Sequence, residues 1–300
     1  MKHFYLIVNS RKEGTWQLAE EIETYLHKNG AVCQGARQES QTLFKGTYPE
    51  KGKGYTSISS IPLDTQCVIT LGGDGTLIQA ARELVDLNLP LVGINMGHLG
   101  YLTQVPGDKS LFAMLDALLE DRFTVEKRMM LEGRIIRQDS ISDRETNSFC
   151  RMKGIALNDI VLTHKEPLQV LNFQIYLNGT CLNEYMADGM IAATPTGSTG
   201  YNLSAGGPVV APGAELIVLT PISSHSLNSR SIVLSAEDVV TIRPLDLERK
   251  QQVAVFDGDQ MTVLEPGDVI EIRRSEKYTS MIQMGNAPFL ENLRNKLARI

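Results

Sequence analysis

The chain reads as an α/β domain followed by a mostly antiparallel β domain. Two observations predict this. Short apolar runs alternate with helix-period segments over roughly the first 120 residues. From residue 130 to 285 helical periodicity almost disappears and short β-rich runs replace it. A third feature closes the layout. Residues 288–300 return to a helical pattern, with Leu290, Leu293 and Leu297 on one face. The expected organisation is an α/β domain over 1–125, a β-rich domain over 126–286, and a helix over 287–300 that packs back on the first domain.

Residues 4–8 form a short buried strand, ended by Asn9 and Ser10. A helix over 14–29 follows, with Leu18, Ile22, Tyr25 and Leu26 on one face and Gly30 as its stop. Residues 31–33 begin the next strand. Residues 38–60 are polar and Gly-rich and read as a loop, whose Lys45, Lys51 and Lys53 suit a lid over phosphates. A strand over 67–71, a Gly-rich turn and a helix over 76–87 make the next β–α unit. A strand over 90–94 and a helix over 110–120 complete the first domain. This alternation predicts a parallel sheet with right-handed crossovers. Ligands of such sheets lie beyond the carboxyl ends of the strands, where Asp74 and Asn95 fall. In the second domain, runs at 131–136, 155–163, 172–177, 190–193, 216–220, 239–242, 253–255 and 269–272 predict strands. Asn178-Gly179 between two runs signals a hairpin.

Composition narrows the function classes. The chain is 42% hydrophobic and 21% charged, as ordinary globular proteins are. A net charge of −6 argues against a nucleic-acid or anionic-membrane partner. No apolar run approaches the roughly 20 residues that a membrane helix needs. Cys33, Cys67, Cys150 and Cys181 include no C-x-x-C and read as reduced thiols of a cytoplasmic protein. His3, His27, His98, His164 and His225 share no ligand spacing, so no protein-built metal site is expected. His225 reads as structural before it reads as a cleft residue.

The most informative stretch is 188–208, which packs Gly, Ser and Thr with Asp188 and Tyr201 and no Lys or Arg. Such a run lets a ligand lie on bare backbone and offers hydroxyl and N–H groups to sugar or phosphate oxygens. Gly72-Gly73-Asp74-Gly75-Thr76 sits between a strand and a helix. It suits an anion at a helix N-terminus, with Asp74 facing an attacking hydroxyl. The competing reading is a plain helix cap by Asp74 or Thr76. Asn158-Asp159 interrupts the apolar run 155–163, which is costly unless the pair is bonded or faces a cleft. A β-bulge explains it equally well. Asp188 suits an amide or ribose hydroxyl, or merely starts a turn. Tyr201 stacks on a base or belongs to the core. Asp257-Gly258-Asp259 approaches a ligand or cation, or is an exposed hairpin turn. Known phosphate loops are missing: there is no G-x-x-x-x-G-K-[ST], no H-R-D with D-F-G, and no G-x-G-x-x-G after the first strand.

Taken together the motifs closely resemble the NAD kinase family, over nearly the whole chain. They are Gly-Gly-Asp-Gly-Thr at 72–76, Asn-Met-Gly-His-Leu-Gly-Tyr-Leu at 95–102, Leu-Asn-Asp at 157–159, and the run at 188–208. The first is shared with diacylglycerol, sphingosine and 6-phosphofructo kinases; the last separates NAD kinases from them. The resemblance implies phosphoryl transfer from ATP or polyphosphate to NAD, giving NADP, with a divalent cation, most simply Mg²⁺. It implies Asp74 as general base for the 2′-hydroxyl of the adenosine ribose and Gly72, Gly73, Gly75 and Thr76 as the phosphate-donor loop. It implies NAD contacts from Asp74, Gly75, Tyr101, Asn158, Asp159, Asp188, Thr199, Gly200, Tyr201 and Ser204. It implies homodimers or homotetramers. Asp159 stands where many members have Glu, Gly200 where many have Ala, and Met186 where several bacterial members have a basic residue. A lipid kinase of the same superfamily and a non-catalytic dinucleotide sensor are the competing readings.

Overall fold

The computed structural model describes residues 1–10, 12–35, 60–97, 100–103, 105–107, 110–138, 148–165, 170–224, 230–247, 251–284, 289 and 293–294. All but the last residue of the loop expected over 38–60, His98, His225 and most of the helix expected over 288–300 lie outside these residues. The chain divides into two compact units, residues 1–128 with 278–300, and residues 129–277. The boundaries fall within two long strands, Thr124–Gln138 and Asp268–Gln283.

The first unit is built from β1 (His3–Val8), α1 (Thr15–Lys28), β2 (Val32–Gly35), β3 (Cys67–Gly72), α2 (Asp74–Glu83), β4 (Leu91–Asn95), β5 (Val105–Pro106) and α3 (Ser110–Leu119). The strands are parallel, in the order β2-β1-β3-β4, with β5 beside β4. The runs of β1, β3 and β4 are buried on both faces, which is why they read as continuous apolar segments, whereas the edge strand β2 exposes Val32 and Gln34. Ile22 and Leu26 of α1 and Leu111, Leu115 and Leu118 of α3 join one core with Phe4, Leu6, Ile69, Leu71, Val92 and Ile94. Gly93 points the other way, and a side chain there would press on Leu77 of α2. α1 and α2 therefore cover opposite faces of the sheet. The chain winds one way through β1, α1 and β2 and the other way through β3, α2 and β4. The loops after β1 and β3 part at this reversal, the topological switch point of an open parallel sheet.

α2 begins at Asp74, two residues earlier than the apolar pattern suggests. Thr76 and Leu77 both donate their N–H to the Gly73 carbonyl, which closes the first turn on glycine-rich sequence.

The second unit holds β6 (Thr124–Gln138, from Met129), β7 (Ser148–Ala156), β8 (Asp159–His164), β9 (Leu171–Leu177), β10 (Thr180–Ala187), β11 (Gly189–Ala193), a short helix α4 (Tyr201–Ser204), β12 (Leu216–Ile222), β13 (Ile232–Ser235), β14 (Val240–Pro244), β15 (Gln252–Phe256), β16 (Gln260–Val263) and β17 (Asp268–Gln283, to Lys277). One sheet runs β13-β12-β11-β8-β15-β16, and its described pairings are antiparallel. The other runs β10-β9-β14-β17, with β6 and β7 alongside. Alternate residues of both sheets meet in one core around Leu131, Ile160, Phe173, Ala192, Ile242, Phe256 and Ile270. The hairpin at Asn178-Gly179 forms as expected, with φ of 49° and 81° matching the turn chemistry that favours Asn-Gly.

The expected strand over 155–163 is two strands. β7 ends at Ala156 and β8 starts at Asp159, so Asn158 lies in the break between them and not inside a ladder. The strand ends there because Asp257 takes the backbone donors that a ladder would use.

Candidate active site

In the first unit, Gly72 ends β3 and Gly73 precedes α2 with an extended backbone, φ −132° and ψ −172°. No side chain caps this helix, so the capping alternative for Asp74 and Thr76 does not hold. Thr76 instead accepts a hydrogen bond from the Asn9 amide at 3.1 Å, tying the loop after β1 to the loop after β3. A side chain at Gly72 would overlap the Thr76 hydroxyl. Gly75 has open space beside it: a methyl group added there would meet no heavy atom of the described residues outside its own turn within 4 Å.

Asp74 turns back toward residues 100–103. Its Oδ2 accepts the Tyr101 N–H at 2.7 Å. Its Oδ1 accepts the Leu102 N–H at 3.2 Å, the Thr103 N–H at 2.9 Å and the Thr103 hydroxyl at 2.8 Å. Gly100 packs flat on the carboxylate, and a Cβ there would overlap it. The acid stands in the first turn of α2, where the helix dipole favours negative charge. Gly72, Gly73, Asp74, Gly75, Thr76 and Tyr101 thus form one cluster. Tyr101 is half-buried, and burial raises its phenol above the usual range.

In the second unit, Asp257 organises the other candidates. It sits in the turn after β15 at φ 50°, and its carboxylate accepts the N–H groups of Leu157 at 2.8 Å, Asn158 at 2.7 Å and Asp159 at 3.1 Å. The hairpin-turn reading of 257–259 is right for the backbone, since β15 and β16 flank it, but the Asp257 side chain is a clamp and not a solvent-facing acid. Asp159 is 5% exposed. Burial first, and the Asp257 charge second, push its carboxyl up to about 7.

The 188–208 run folds onto this clamp. The Asn158 carbonyl accepts the Thr194 N–H at 2.8 Å, and Thr194 donates its hydroxyl to the Leu157 carbonyl at 2.6 Å. A side chain at Gly197 would overlap the Asn158 backbone, and one at Gly200 would touch the Asn158 amide at 3.6 Å. Glycine at 197 is required by this close approach. Thr199 donates to the Thr196 carbonyl at 3.2 Å, inside a single tight turn. Tyr201 is 46% exposed. Burial, then the Asp159 and Asp188 charges, raise its phenol, so these groups share one electrostatic neighbourhood. Asp188 donates its backbone N–H to the Ile222 carbonyl at 2.9 Å, just ahead of β11. Ser204 closes α4. Asn158, Asp159, Asp188, Thr199, Gly200, Tyr201 and Ser204 therefore belong to the second unit, and the Asp74 cluster belongs to the first.

Several residues of the site are not legible in the sequence. Asn202, fully buried, donates to the Ser198 and Pro208 carbonyls at 3.1 and 2.9 Å and accepts the Thr220 hydroxyl at 2.6 Å. It fixes the shape of the run from within. Thr196 is 4% exposed, and its hydroxyl has no hydrogen-bond partner among the described residues; the Asn158 Oδ1 is likewise buried and unpartnered among them. Buried polar atoms are normally bonded, so both stand out within the run and its clamp. The one signal for Thr196 is its place between Pro195 and Gly197, inside the run itself. Among the described residues, no three His, Cys, Asp or Glu side chains converge on a possible metal position.

Comparison with known proteins bears on the family and the fold. Residues 4–123 match the family of ATP-NAD kinase N-terminal domains and residues 157–284 that of the C-terminal domains. The NAD kinase of Lachnospira eligens is 40% identical, covering 99% of this chain and 100% of its own. That of Agathobacter rectalis is 39% identical, covering 99% of both. Yeast NADH kinase, solved in complex with NADH, superposes with a TM-score of 0.81 at 22% identity over 99% of this chain and 88% of its own. An NAD kinase from Archaeoglobus fulgidus, solved in complex with ATP, gives 0.73 at 22% identity over the whole of both chains. With these motifs and full-length identities of this size, the chain belongs to the NAD kinase family.

Proposed function

We propose that this chain transfers the terminal phosphoryl group of ATP to the 2′-hydroxyl of the adenosine ribose of NAD, giving NADP and ADP. The observation that carries the reading is the Asp74 carboxylate, locked at the start of α2 beside a bare glycine backbone. A new O2′–P bond forms, the bond from phosphorus to the ADP oxygen breaks, and the hydroxyl proton passes to Asp74. Phosphoryl transfer depends on positioning and charge stabilisation more than on base strength. A carboxylate held by four hydrogen bonds suits that demand: it is a proton acceptor in a fixed place.

Gly72, Gly73, Gly75 and Thr76 serve the phosphate side. Gly75 and Tyr101 flank the base. Asn158, Asp159, Asp188, Thr199, Gly200, Tyr201 and Ser204 contact the dinucleotide, and Thr196 joins them on the strength of its orphaned hydroxyl. In this reading residues 1–125 carry the phosphoryl chemistry, 126–286 carry NAD recognition, and a helix over 287–300 belongs with the former. Polyphosphate is a second candidate phosphoryl donor. A divalent cation, most simply Mg²⁺, enters with the phosphates, since no protein ligand set is evident for it among the described residues. The protein works as a cytoplasmic homodimer or homotetramer. Met186, 52% exposed on β10, gives no cationic contact where several relatives of the family are basic.

The test is NADP formation from NAD, ATP and Mg²⁺, read with an NADP-specific dehydrogenase, beside Asp74→Asn. An asparagine oxygen at the Oδ1 position keeps the Leu102 and both Thr103 hydrogen bonds, so only the Tyr101 N–H loses its acceptor while the proton acceptor is removed. Turnover in the parent and its loss in the variant are expected. Normal turnover in the variant sinks the base assignment; no turnover in the parent with any phosphoryl donor sinks the kinase.

A further inference from the structure

The glycine loop at 72–76 supplies backbone N–H groups but no positive charge, and a phosphate-binding loop facing a triphosphate ordinarily has a cation. The structure places one there from the other side of the switch point. Lys12 follows β1, and its ammonium lies 3.2 Å from where a Cβ on Gly73 would stand and 3.6 Å from the same point on Gly97. Among the described residues, no other atom outside the chain neighbours comes within 4 Å at either glycine. Gly73 has an extended backbone that any residue adopts, so its conformation does not explain the glycine. What lies over this bare backbone is the Lys12 ammonium, the movable end of a long side chain.

The lysine is held in place by its own loop. Its N–H donates to the Asn9 carbonyl at 3.2 Å, and Thr15 donates its hydroxyl to the Lys12 carbonyl at 2.7 Å. Asn9 in turn bonds Thr76 in the glycine loop at 3.1 Å and donates its backbone N–H to the Leu71 carbonyl at 2.9 Å. The loops after β1 and β3 therefore form one piece, at the reversal of strand order where open parallel sheets bind ligands. The Lys12 ammonium lies against the bare backbone of both Gly73 and Gly97. We propose that Lys12 is the cationic phosphate-binding residue of the phosphoryl-donor subsite, reaching across Gly73 to the triphosphate of ATP. The inference rests on the kinase reading and adds to it a residue outside the Gly-Gly-Asp-Gly-Thr motif.

The test compares Lys12→Gln, Lys12→Arg and the parent, with ATP and Mg²⁺ as the probe. A charge-assisted hydrogen bond is worth about 10- to 100-fold in binding. Lys12→Gln is expected to raise the ATP KM about 10-fold or more while the NAD KM stays within about twofold; Lys12→Arg is expected to recover most of the loss. Thermal melting of all three should agree, since Lys12 is only half-buried. Titration calorimetry of ATP with Mg²⁺ gives the same comparison without turnover. An unchanged ATP KM and ATP affinity in Lys12→Gln overturn the inference and leave the kinase intact. Equal loss for ATP and NAD, with a lowered melting point, overturns it in favour of a structural lysine. A parent that makes no NADP overturns the kinase reading, and calorimetry then decides Lys12 alone: ATP binding weakened about 10-fold supports it, and equal binding ends it.

Discussion

Gly100 lies flat against the carboxylate of Asp74, so closely that a methyl group on Gly100 would occupy the place of the carboxylate oxygens. The contact explains why the segment after β4 needs glycine at this point. It also means that residues 100–103 and the acid are built as one object, with the peptide donors of Tyr101, Leu102 and Thr103 closing over it.

Gly100→Ala is therefore expected to push the Asp74 carboxylate out of place while leaving the chemistry of every side chain in the site unchanged. Displacing a reacting group by about 1 Å costs on the order of 100-fold in rate. kcat should fall by about that factor, with a melting point a few degrees lower because hydrogen bonds to a carboxylate are strained or lost. Steady-state kinetics and thermal unfolding on the same preparation check this. An alanine variant with unchanged kcat would show that the position of Asp74 is not critical.

Asp257 carries three backbone N–H groups on one carboxylate, at the point where β7 gives way to β8. Asp257→Ala leaves those donors without their acceptor and is expected to destabilise the protein by about 2–3 kcal/mol. Urea unfolding measures this, and a NAD KM raised about 10-fold should accompany it, because Asn158 and Asp159 lose their anchor. Asp257→Asn should fall between, since a neutral oxygen still accepts. A variant as stable as the parent would assign the clamp no energetic weight.

Much of the fold is legible in the sequence. Alternating apolar runs specify the parallel sheet, because strands buried on both faces carry no polar residues between Phe4 and Val8 or between Cys67 and Leu71 apart from Thr70. Asn178-Gly179 specifies its hairpin, because few other pairs accept two positive φ angles in succession. What cannot be read are partnerships distant in sequence. Asp257 meets residues about 100 positions earlier, and nothing local distinguishes it from Asp259. Lys12 meets Gly73 only because β1 and β3 are neighbours. The long strand Asp268–Gln283 is legible only as far as 272, because its charged residues Arg273, Arg274, Glu276 and Lys277 hide the apolar pattern. Arg273 is there paired with Glu132, which burial would raise but which Lys153 and Arg273 hold down at about 2.

Thr196→Val separates binding from folding. The Thr196 hydroxyl is buried without a partner among the described residues, so its removal should leave the free protein as stable as before, or slightly more so. If the hydroxyl bonds the dinucleotide, the NAD KM rises about 10-fold while the ATP KM is unchanged. Melting curves with and without NAD make the contrast visible: the variant should match or exceed the parent alone and gain less from added NAD. A variant destabilised by itself would mean that the hydroxyl has a partner within the fold.

Asp159 predicts a pH dependence of definite sign. Its carboxyl titrates near 7 in the folded protein, against about 3.9 in an unfolded chain. Below pH 4 both states hold the proton and the group contributes nothing. Between pH 4 and 7 the folded state keeps a proton that the unfolded state has released, so stability falls as pH rises, and the loss is complete above 7. Asp159→Asn removes this term. Its stability relative to the parent should improve by on the order of a few kcal/mol from pH 4 to pH 8, most of it before pH 7. Urea unfolding at several pH values gives the difference directly. Dinucleotide binding should move the opposite way. A carboxylate that accepts a hydroxyl or amide proton from NAD does so best when ionised, so the parent's NAD KM should fall as pH rises through 7. Tyr201 and Asp188 share this neighbourhood, but neither is removed by the substitution, and Asp257 remains clamped on its three amides. The step near pH 7 should therefore vanish in Asp159→Asn alone. If it persists there, another group titrates, and Asp159 is a buried acid that the ligand does not use.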